Sequence, residues 1–160
     1  MSVQESSFKA AMRMWASGVT VVTAAHGAEW QGMTVSSFAS VSLQPALISV
    51  CLKQDAGTLA LIEKAGRFGV SLLSSDQEAV SDHFATHGAE MDRFESQRIQ
   101  TGESRIPLIE VALATLQCKV HSMTVVGDHT LVIGRVAKTD VGSGSPLVYF
   151  DGGYRTLRSA

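Results

Sequence analysis

The sequence has 160 residues, of which 45% are hydrophobic and 18% charged, and its formal net charge at pH 7 is −2. This composition predicts one globular domain over residues 1–160 and excludes a disordered chain, while the absence of a basic cluster excludes the face that nucleic acid or an anionic membrane would need. No apolar run has the length of a membrane span and the N-terminus lacks the apolar core of a signal peptide, so we expect a cytoplasmic protein.

The first predicted element is a short amphipathic helix. Phe8, Met12 and Trp15 recur at the three- and four-residue steps of a helix, so we expect this face to pack on the core. Ser6-Ser7 can cap the helix, and Gly18 can end it, because glycine tolerates the left-handed conformation common just past a helix. We assign no chemistry to this helix.

Short β-branched and apolar segments follow and predict strands. His26 to Glu29 is a predicted turn, and Pro45 marks a junction because it cannot donate to a sheet ladder. Ser36 to Leu43 is rich in serine and alternates. The strands predicted in this half are Val19 to Ala25, Trp30 to Val35, Ala46 to Leu52 and Arg67 to Leu73.

Two further helices are predicted before a long irregular stretch. One covers Gly57 to Lys64. Ser75, followed three residues later by Glu78, forms the pattern of a capping box, which predicts a helix that runs to about Ala85. Thr86 to Pro107 is polar and irregular, so we expect a loop with some helical character.

The last third alternates between apolar and polar residues. Residues 116–121 have the period of two that a strand buried on one face requires. Gly127-Asp128 predicts a hairpin turn before a return strand over Leu131 to Thr139. A loop over Gly142 to Ser145 precedes two short strands, Leu147 to Phe150 and Tyr154 to Leu157.

Together these elements predict a mainly β protein, an all-β barrel with helical decoration. The strands do not alternate regularly with helices, which argues against a parallel doubly wound sheet. Cys51 and Cys118 lie in apolar or alternating segments, where we expect two small buried hydrophobic side chains rather than a disulfide.

One segment rich in hydroxyls, Gly32 to Phe38, is a candidate binding site. Backbone N–H groups and small hydroxyls can hydrogen-bond the polar edge of a flat heterocycle, which larger side chains would exclude. Alternatively, the serine and threonine side chains hydrogen-bond their own backbone.

Two other places combine a charged side chain with a turn. Lys53 precedes Gly57-Thr58 at the start of a predicted helix, and such a start attracts anions because its N–H groups are unpaired; a solvated loop is the alternative. His129 follows the turn at Gly127-Asp128, where a histidine can contact a ligand or lie exposed.

The sequence contains no signature of a nucleotide-binding or nucleophilic enzyme. It has no Gly-x-Gly-x-x-Gly, no Walker phosphate loop and no Gly-x-Ser-x-Gly, so a nicotinamide cofactor would be held without a Rossmann domain. His83 and His87 are four residues apart, with Glu90 and Asp92 beyond them, but the helix ends near His87 and no third ligand is fixed. We therefore predict no metal site.

These segments, taken in order, resemble the short-chain flavin reductase family, the reductase components of two-component flavin monooxygenases. The resemblance covers nearly the whole chain. It rests on Phe8 to Thr23, Gly32 to Leu52, Gly66 to Leu73, Phe84-Ala85, Asp92 to Phe94, Gly127 to His129 and Pro146 to Arg155.

The resemblance implies an antiparallel split β-barrel of Greek-key type with a few flanking helices, in a homodimer with flavin near the subunit interface. It implies an NAD(P)H:flavin oxidoreductase that transfers a hydride from NADH or NADPH to FMN or FAD and supplies reduced flavin to a partner monooxygenase. One alternative is a non-enzymatic flavin-binding electron carrier on the same barrel. Another is an oxidase of the pyridoxamine-phosphate type, which would need a basic cluster that the scattered arginines do not provide.

The resemblance also implies a set of site residues. His129 matches the residue that helps to place the nicotinamide, so it is the catalytic candidate, with a placing role rather than that of an obligatory base. The implied cofactor-binding residues are Met33, Thr34, Val35, Ser36 and Ser37 beside the flavin ring and ribityl chain, Cys51, Leu52, Lys53 and Thr58 around the phosphate, and Phe84, Tyr154 and Arg155.

Two segments depart from the family pattern. The strand at Gly69 to Leu73 reads Val-Ser-Leu-Leu where Val-Asn-Val-Leu is common, and serine keeps a small polar group there. Gln54 to Gly57 stands where serines are frequent in the family, and it brings the carboxyl group of Asp55 close to the implied phosphate site. A carboxylate beside a phosphate would repel it unless the side chain points away.

Overall fold

The computed structural model describes residues 3–86 and 92–157, which form a mainly β fold with four short helices. The helices are α1 (Glu5–Arg13), α2 (Gly57–Ala65), α3 (Glu78–Ala85) and α4 (Asp92–Glu95). The strands are β1 (Ser17–Gly18), β2 (Thr20–His26), β3 (Glu29–Val35), β4 (Ala39–Leu43), β5 (Ala46–Lys53), β6 (Arg67–Leu72), β7 (Ile99–Thr101), β8 (Pro107–Ile109), β9 (Ala114–Val126), β10 (His129–Val141), β11 (Val148–Phe150) and β12 (Gly153–Arg155).

Seven strands form the main sheet in the order β3-β2-β6-β9-β10-β5-β4, and every neighbouring pair in it is antiparallel. Its two edge strands, β3 and β4, are joined by only three residues, 36–38. Four residue steps span at most roughly 14 Å, whereas the edges of a flat seven-stranded sheet would lie roughly 29 Å apart. The sheet must therefore curl until its edges come close to each other, which agrees with the split barrel that the family resemblance implied.

The junction between the two edges is held by one side chain. The Ser37 hydroxyl accepts a hydrogen bond of 3.0 Å from the Cys51 N–H and donates one of 2.9 Å to the Cys51 carbonyl. The backbone pairing of β4 with β5 ends at Ala39 and Ser49. The Ser37 side chain continues these hydrogen bonds by two residues along β5, in the direction of β3.

The curled sheet encloses one apolar cluster and carries a second on its outer side. β2 is buried over six consecutive residues because it lies between the two clusters. Val22 packs inside with Phe68 and with Leu59 of α2, while Val21 packs outside with Phe84 of α3. A side chain of this type contributes roughly 1.5–3 kcal/mol when fully buried, so the two clusters fix α2 and α3 on opposite sides of β2.

A smaller sheet joins the two ends of the chain. It has the order β1-β11-β12, and the turn before β12 is bound to the end of α1. The Arg13 guanidinium donates a 3.0 Å hydrogen bond to the Asp151 carboxylate, and the Asp151 N–H donates to the Arg13 carbonyl. The N-terminal helix and the C-terminal hairpin are therefore attached to each other.

Most predicted strands are confirmed within one or two residues. Both cysteines are free thiols, as predicted, but only Cys118 is buried; Cys51 is partly exposed, so its predicted burial was wrong. The hairpin turn at Gly127-Asp128 and the helix that begins at Gly57 are also confirmed. The stretch expected to be a loop also contains β7, which pairs with β8. The sequence did not indicate that pair, because three-residue strands are too short to show a period.

The interpretation of α1 as a core helix was wrong. Phe8, Met12 and Trp15 are 54%, 51% and 73% exposed, and no residue of α1 is buried. The helix ends at Arg13 with no side-chain cap at its start, and Gly18 lies in β1. The spacing identified an apolar face correctly, but periodicity does not show what covers it.

The capping box was also wrong. α3 begins at Glu78 with Gln77 at its N-cap, and no side-chain hydrogen bond caps the helix there. Instead the Gln77 side-chain oxygen accepts a hydrogen bond from the Ser74 N–H, so the preceding turn is held by glutamine rather than by Ser75.

We predict that Ser37→Ala destabilises the fold by about 1–2 kcal/mol, because it removes the acceptor and the donor that satisfy the Cys51 backbone. Urea denaturation measures the free energy of unfolding. Ser40→Ala is the matched control: it removes an exposed hydroxyl from neighbouring β4, and we expect a change within about 0.5 kcal/mol. Equal effects of the two variants would contradict the role given to Ser37.

Candidate functional site

A cavity of 750 Å³ opens where β3, the β5–α2 junction, α3 and the C-terminal hairpin come together. This volume is within the range of small-molecule and cofactor sites, roughly 300–1,000 Å³. The residues that line it are Val19, Gln31, Gly32, Met33, Thr34, Ser36, Lys53, Asp55, Ala56, Gly57, Thr58, Glu78, Ser81, Asp82, Phe84, Ala85, Thr86, Tyr149, Gly152, Gly153 and Tyr154. We call it the main cavity.

A second cavity of 460 Å³ lies on the other side of the end of β3. It is lined by Met33, Thr34, Val35, Ser36, Ser37, Cys51, Lys53, Val126 and His129. We call it the side cavity. Because Met33, Thr34, Ser36 and Lys53 line both cavities, the two spaces meet around these four residues.

Most of the predicted site residues lie on these two surfaces. Those on the main cavity are Met33, Thr34, Ser36, Lys53, Thr58, Phe84 and Tyr154. Those found only on the side cavity are Val35, Ser37, Cys51 and His129.

Two predicted residues line neither cavity. The Leu52 side chain is fully buried in the inner cluster, because inward positions of β5 alternate. The Arg155 guanidinium donates to the carbonyl of Tyr154 and its side chain lies on the surface.

Two hydroxyls of the Gly32–Phe38 segment are used within the protein. Thr34 Oγ1 donates a 2.6 Å hydrogen bond to the Ser81 carbonyl on α3, and Ser37 bonds Cys51. Ser36 makes no side-chain hydrogen bond with the residues that the structure describes, and it lines both cavities. A ligand here would meet the Ser36 hydroxyl and the outward backbone groups of β3, which is an edge strand.

A glycine lets α3 approach β3 closely. A Cβ atom on Gly32 would lie 3.0 Å from ring atoms of both Phe84 and Phe94. These two rings make an edge contact with centroids 5.3 Å apart. The absence of a side chain on Gly32 therefore leaves room for the Phe84 ring. Phe84 is only 1% exposed, and it forms part of the cavity wall.

The N-terminus of α2 and Lys53 form a positively polarised corner of the main cavity. No side chain caps this helix and its first turn has no acidic residue, so its unpaired N–H groups favour an anion. Asp55 lines the same cavity as Lys53, so the cavity carries a negative charge close to the implied phosphate site. Any anion bound here must be attracted by Lys53 and α2 more strongly than Asp55 repels it.

The opposite wall of the cavity is acidic. Glu78 and Asp82, one helical turn apart on α3, both line it. With Asp55 they give three carboxylates against the single amine of Lys53 among the described lining residues. The sequence analysis missed this wall; the spacing of Glu78 and Asp82 is the signal that would have placed them on one face.

A hydrogen-bond network ties this wall to the C-terminal hairpin. The Tyr154 hydroxyl lies 2.7 Å from Asp82 Oδ1 and 2.8 Å from Ser81 Oγ. Burial raises the pKa of the Tyr154 phenol, and the nearby carboxylates of Asp82 and Glu78 raise it further. The hydroxyl therefore keeps its proton throughout the neutral range and can donate to Asp82.

In the side cavity the ring of His129 is held by its neighbour. His129 Nδ1 lies 2.8 Å from Asp128 Oδ1, and this hydrogen bond lowers the pKa of the Asp128 carboxyl group. The register pairs His129 with Lys53 on β5 and with Val126 on β9. An imidazole bound through Nδ1 has Nε2 as its remaining polar atom for a ligand.

Of the residues considered for a metal site, His87 and Glu90 lie outside the described residues. Within residues 3–86 and 92–157, no group of three or more His, Cys, Asp or Glu side chains is placed to hold a metal ion. No helix in these ranges is long and apolar enough to cross a membrane.

Comparison with known proteins gives a consistent family. Residues 12–158 match the model of the flavin reductase like domain. The reductase component of 4-hydroxyphenylacetate 3-monooxygenase from Thermus thermophilus is 43% identical, with 96% of this chain and 97% of that protein covered. An NADH-dependent flavin reductase from a Rhodococcus species is 40% identical over 92% of this chain and 83% of its own length.

The fold agrees with a solved structure of similar function. The NADH:FAD oxidoreductase of Streptomyces globisporus C-1027 superposes with a TM-score of 0.92 at 32% identity, covering 99% of this chain and 98% of that one. Sequence and structure therefore resemble the same class of protein over almost the whole chain.

The two thiols are expected to differ in reactivity. Burial raises the pKa of Cys118 to about 12, so this thiol stays protonated and shielded, whereas Cys51 is partly exposed and lines the side cavity. Because the thiolate is the reacting species, we predict that a chromogenic disulfide reagent modifies Cys51 alone in the native protein and both cysteines in denaturant. Rapid modification of Cys118 in the native protein would contradict this burial.

Proposed function

This chain belongs to the flavin reductase like domain family, and we propose that it is an NAD(P)H:flavin oxidoreductase that transfers a hydride from a nicotinamide cofactor to FMN or FAD. The observation that carries the proposal is the family match over residues 12–158, together with relatives above 39% identity along nearly their full length. The two cavities that meet at the end of β3 provide the surface on which the reaction would take place.

The main cavity has the properties that a flavin requires. A flavin has a flat ring with one polar edge and a ribityl chain that ends in a phosphate. The apolar side chains of Met33 and Phe84 would contact the ring, while Ser36 and the edge of β3 would hydrogen-bond its polar edge. Lys53, with Thr58 at the N-terminus of α2, would hold the phosphate.

The role of the protein in such a reaction is placement. The flavin and the nicotinamide supply the hydride chemistry themselves when both are bound. The residues around the cavities hold the two rings in contact and in register, which is the main source of rate in a reaction between two bound molecules. Backbone N–H groups of β3 would stabilise negative charge on the polar edge of the ring.

The family relatives indicate the hydride donor and the recipient of the product. The Rhodococcus and Streptomyces proteins use NADH, which supports NADH as the donor here. The Thermus protein is the reductase component of a monooxygenase, which supports a partner monooxygenase that receives reduced flavin by diffusion. We place the reaction in the cytoplasm, where reduced nicotinamide cofactors are available.

We also propose a homodimer. The exposed apolar side chains support it: Phe8, Met12 and Trp15 form a face on or just after α1, and Val125 and Val126 are 66% and 55% exposed at the end of β9. Exposed apolar side chains that cluster on a surface mark an interaction site. Light scattering of the purified protein measures its mass, and a mass equal to that of one chain would reject the dimer.

The first experiment is to follow the oxidation of NADH and NADPH by absorbance in the presence of FMN, FAD or riboflavin. Rapid oxidation that requires added flavin is the expected result, and the fastest pair identifies donor and acceptor. Tight flavin binding without oxidation would instead indicate an electron carrier. Neither binding nor turnover would reject the proposed function.

His129→Ala is predicted to raise the KM for the nicotinamide cofactor about tenfold, while the dissociation constant of the flavin changes less than about threefold. The reason is that His129 lines the side cavity, next to the space assigned to the flavin. Steady-state kinetics and a flavin fluorescence titration give the two constants. Loss of flavin affinity with an unchanged nicotinamide KM would contradict this assignment.

A further inference from the structure

We propose that Asp82 is a positioning residue, which acts through Tyr154 and Ser81 to fix the walls of the flavin site. The inference rests on the proposed function, because it concerns how the main cavity is shaped for flavin. It assigns a role to a carboxylate that no motif in the sequence indicates.

The main cavity is built from parts of the chain that no continuous sheet connects. β3 belongs to the seven-stranded sheet, whereas β12 belongs to the small sheet, and α3 lies between them. β12 pairs with β11 alone and is an edge strand. Backbone hydrogen bonds at Leu73 and Ser75 attach the small sheet to the end of β6, and the hydrogen bonds between β12 and α3 are made by side chains.

A path of three hydrogen bonds connects these walls. Tyr154 on β12 is bonded to Asp82 and to Ser81 on α3, and the Ser81 carbonyl accepts the 2.6 Å hydrogen bond from Thr34 on β3. The Ser81 side chain is fully buried, and the Tyr154 ring packs against the outer apolar cluster. All four residues line the main cavity.

The direction of the hydrogen bonds makes Asp82 the residue that orders the others. Tyr154 has a single hydroxyl proton, and a carboxylate is a stronger acceptor than a serine hydroxyl. The phenol therefore donates to Asp82 Oδ1, and its oxygen accepts the proton of Ser81 Oγ. If Asp82 cannot accept, Tyr154 must turn to Ser81 as a donor, and the serine hydroxyl must reorient.

This network determines which groups of Thr34 face the ligand. Because its hydroxyl is bound to α3, the threonine is held in one orientation at the point where the two cavities meet. If the hydrogen bonds between α3 and β12 are lost, α3 can move. Because Thr34 is hydrogen-bonded to α3, its side chain would move too, and the polar groups that face the flavin would shift. The expected effect is on flavin binding more than on the chemical step.

The test uses Tyr154→Phe, Asp82→Ala, Asp82→Asn and the double variant Asp82→Ala/Tyr154→Phe. Flavin fluorescence titration gives the dissociation constant of FMN or FAD, and NADH oxidation at saturating flavin gives kcat. Asp140→Ala is the matched control, because Asp140 is an exposed aspartate on β10 that lines neither cavity.

We expect Tyr154→Phe and Asp82→Ala each to raise the dissociation constant about tenfold, the order of one hydrogen bond to a charged group, and kcat at saturating flavin to fall by a smaller factor than the affinity. Asp82→Asn keeps an acceptor oxygen, so it should restore affinity to within about threefold of wild type. The double variant should be no weaker than the weaker single variant, since both changes remove the same bond.

Three outcomes would overturn the proposal: Tyr154→Phe with wild-type affinity, Asp82→Asn as weak as Asp82→Ala, or a double variant whose loss is the product of the two single losses. Tyr154→Phe keeps the ring in the apolar cluster, so it still decides the question if Asp82→Ala does not fold. The wild-type protein distinguishes this proposal from the proposed function. If it oxidises NADH with flavin while the variants keep wild-type flavin affinity, only the network is rejected and the proposed function stands.

Discussion

The connection between β3 and β4 is the constraint on which the rest of the structure depends. Residues 36–38 must join the two edges of a seven-stranded sheet, and a chain this short permits only a curled sheet. The curl encloses the inner apolar cluster and brings the end of β3 beside Cys51 of β5, where Ser37 replaces part of the missing ladder. The same short connection that closes the barrel also carries Ser36 into both cavities.

The candidate site lies at this junction because the barrel cannot pair completely there. β3 is an edge strand of the main sheet, and the remaining walls come from α2, α3 and the C-terminal hairpin. Each wall is fixed by a different interaction: α2 by Leu59 in the inner cluster, α3 by Phe84 above Gly32, and the hairpin by Tyr154. A site assembled from separate elements is suited to a reaction in which the protein places two flat rings and contributes little acid–base chemistry.

The fold could be predicted from the sequence to the extent that its signals are local. The alternation over 116–121 and the turn at Gly127-Asp128 gave the long hairpin, because period and turn chemistry depend on neighbouring residues alone. The burial of α1 was predicted wrongly, because the sequence does not show what covers an apolar helix face. The start of α3 was predicted wrongly, because the turn before the helix is held by the side chain of Gln77. The Tyr154–Asp82 contact joins residues 72 positions apart, so the spacing of residues in the sequence could not indicate it. The site residues that were predicted came from the family resemblance.

The charges of the main cavity bear on how firmly a flavin can be held. Lys53 and the start of α2 attract the phosphate, while Asp55 lies beside them and Glu78 and Asp82 face them from α3. Three carboxylates against one amine among the described lining residues offset part of this attraction, so contacts with the ring also have to contribute to binding. A reductase that supplies a separate monooxygenase has to release its reduced flavin, and an acidic cavity favours that release because reduction adds negative charge to the bound molecule. Asp55, which departs from the serines frequent in the family, lines the cavity together with Lys53 and adds to the negative charge there.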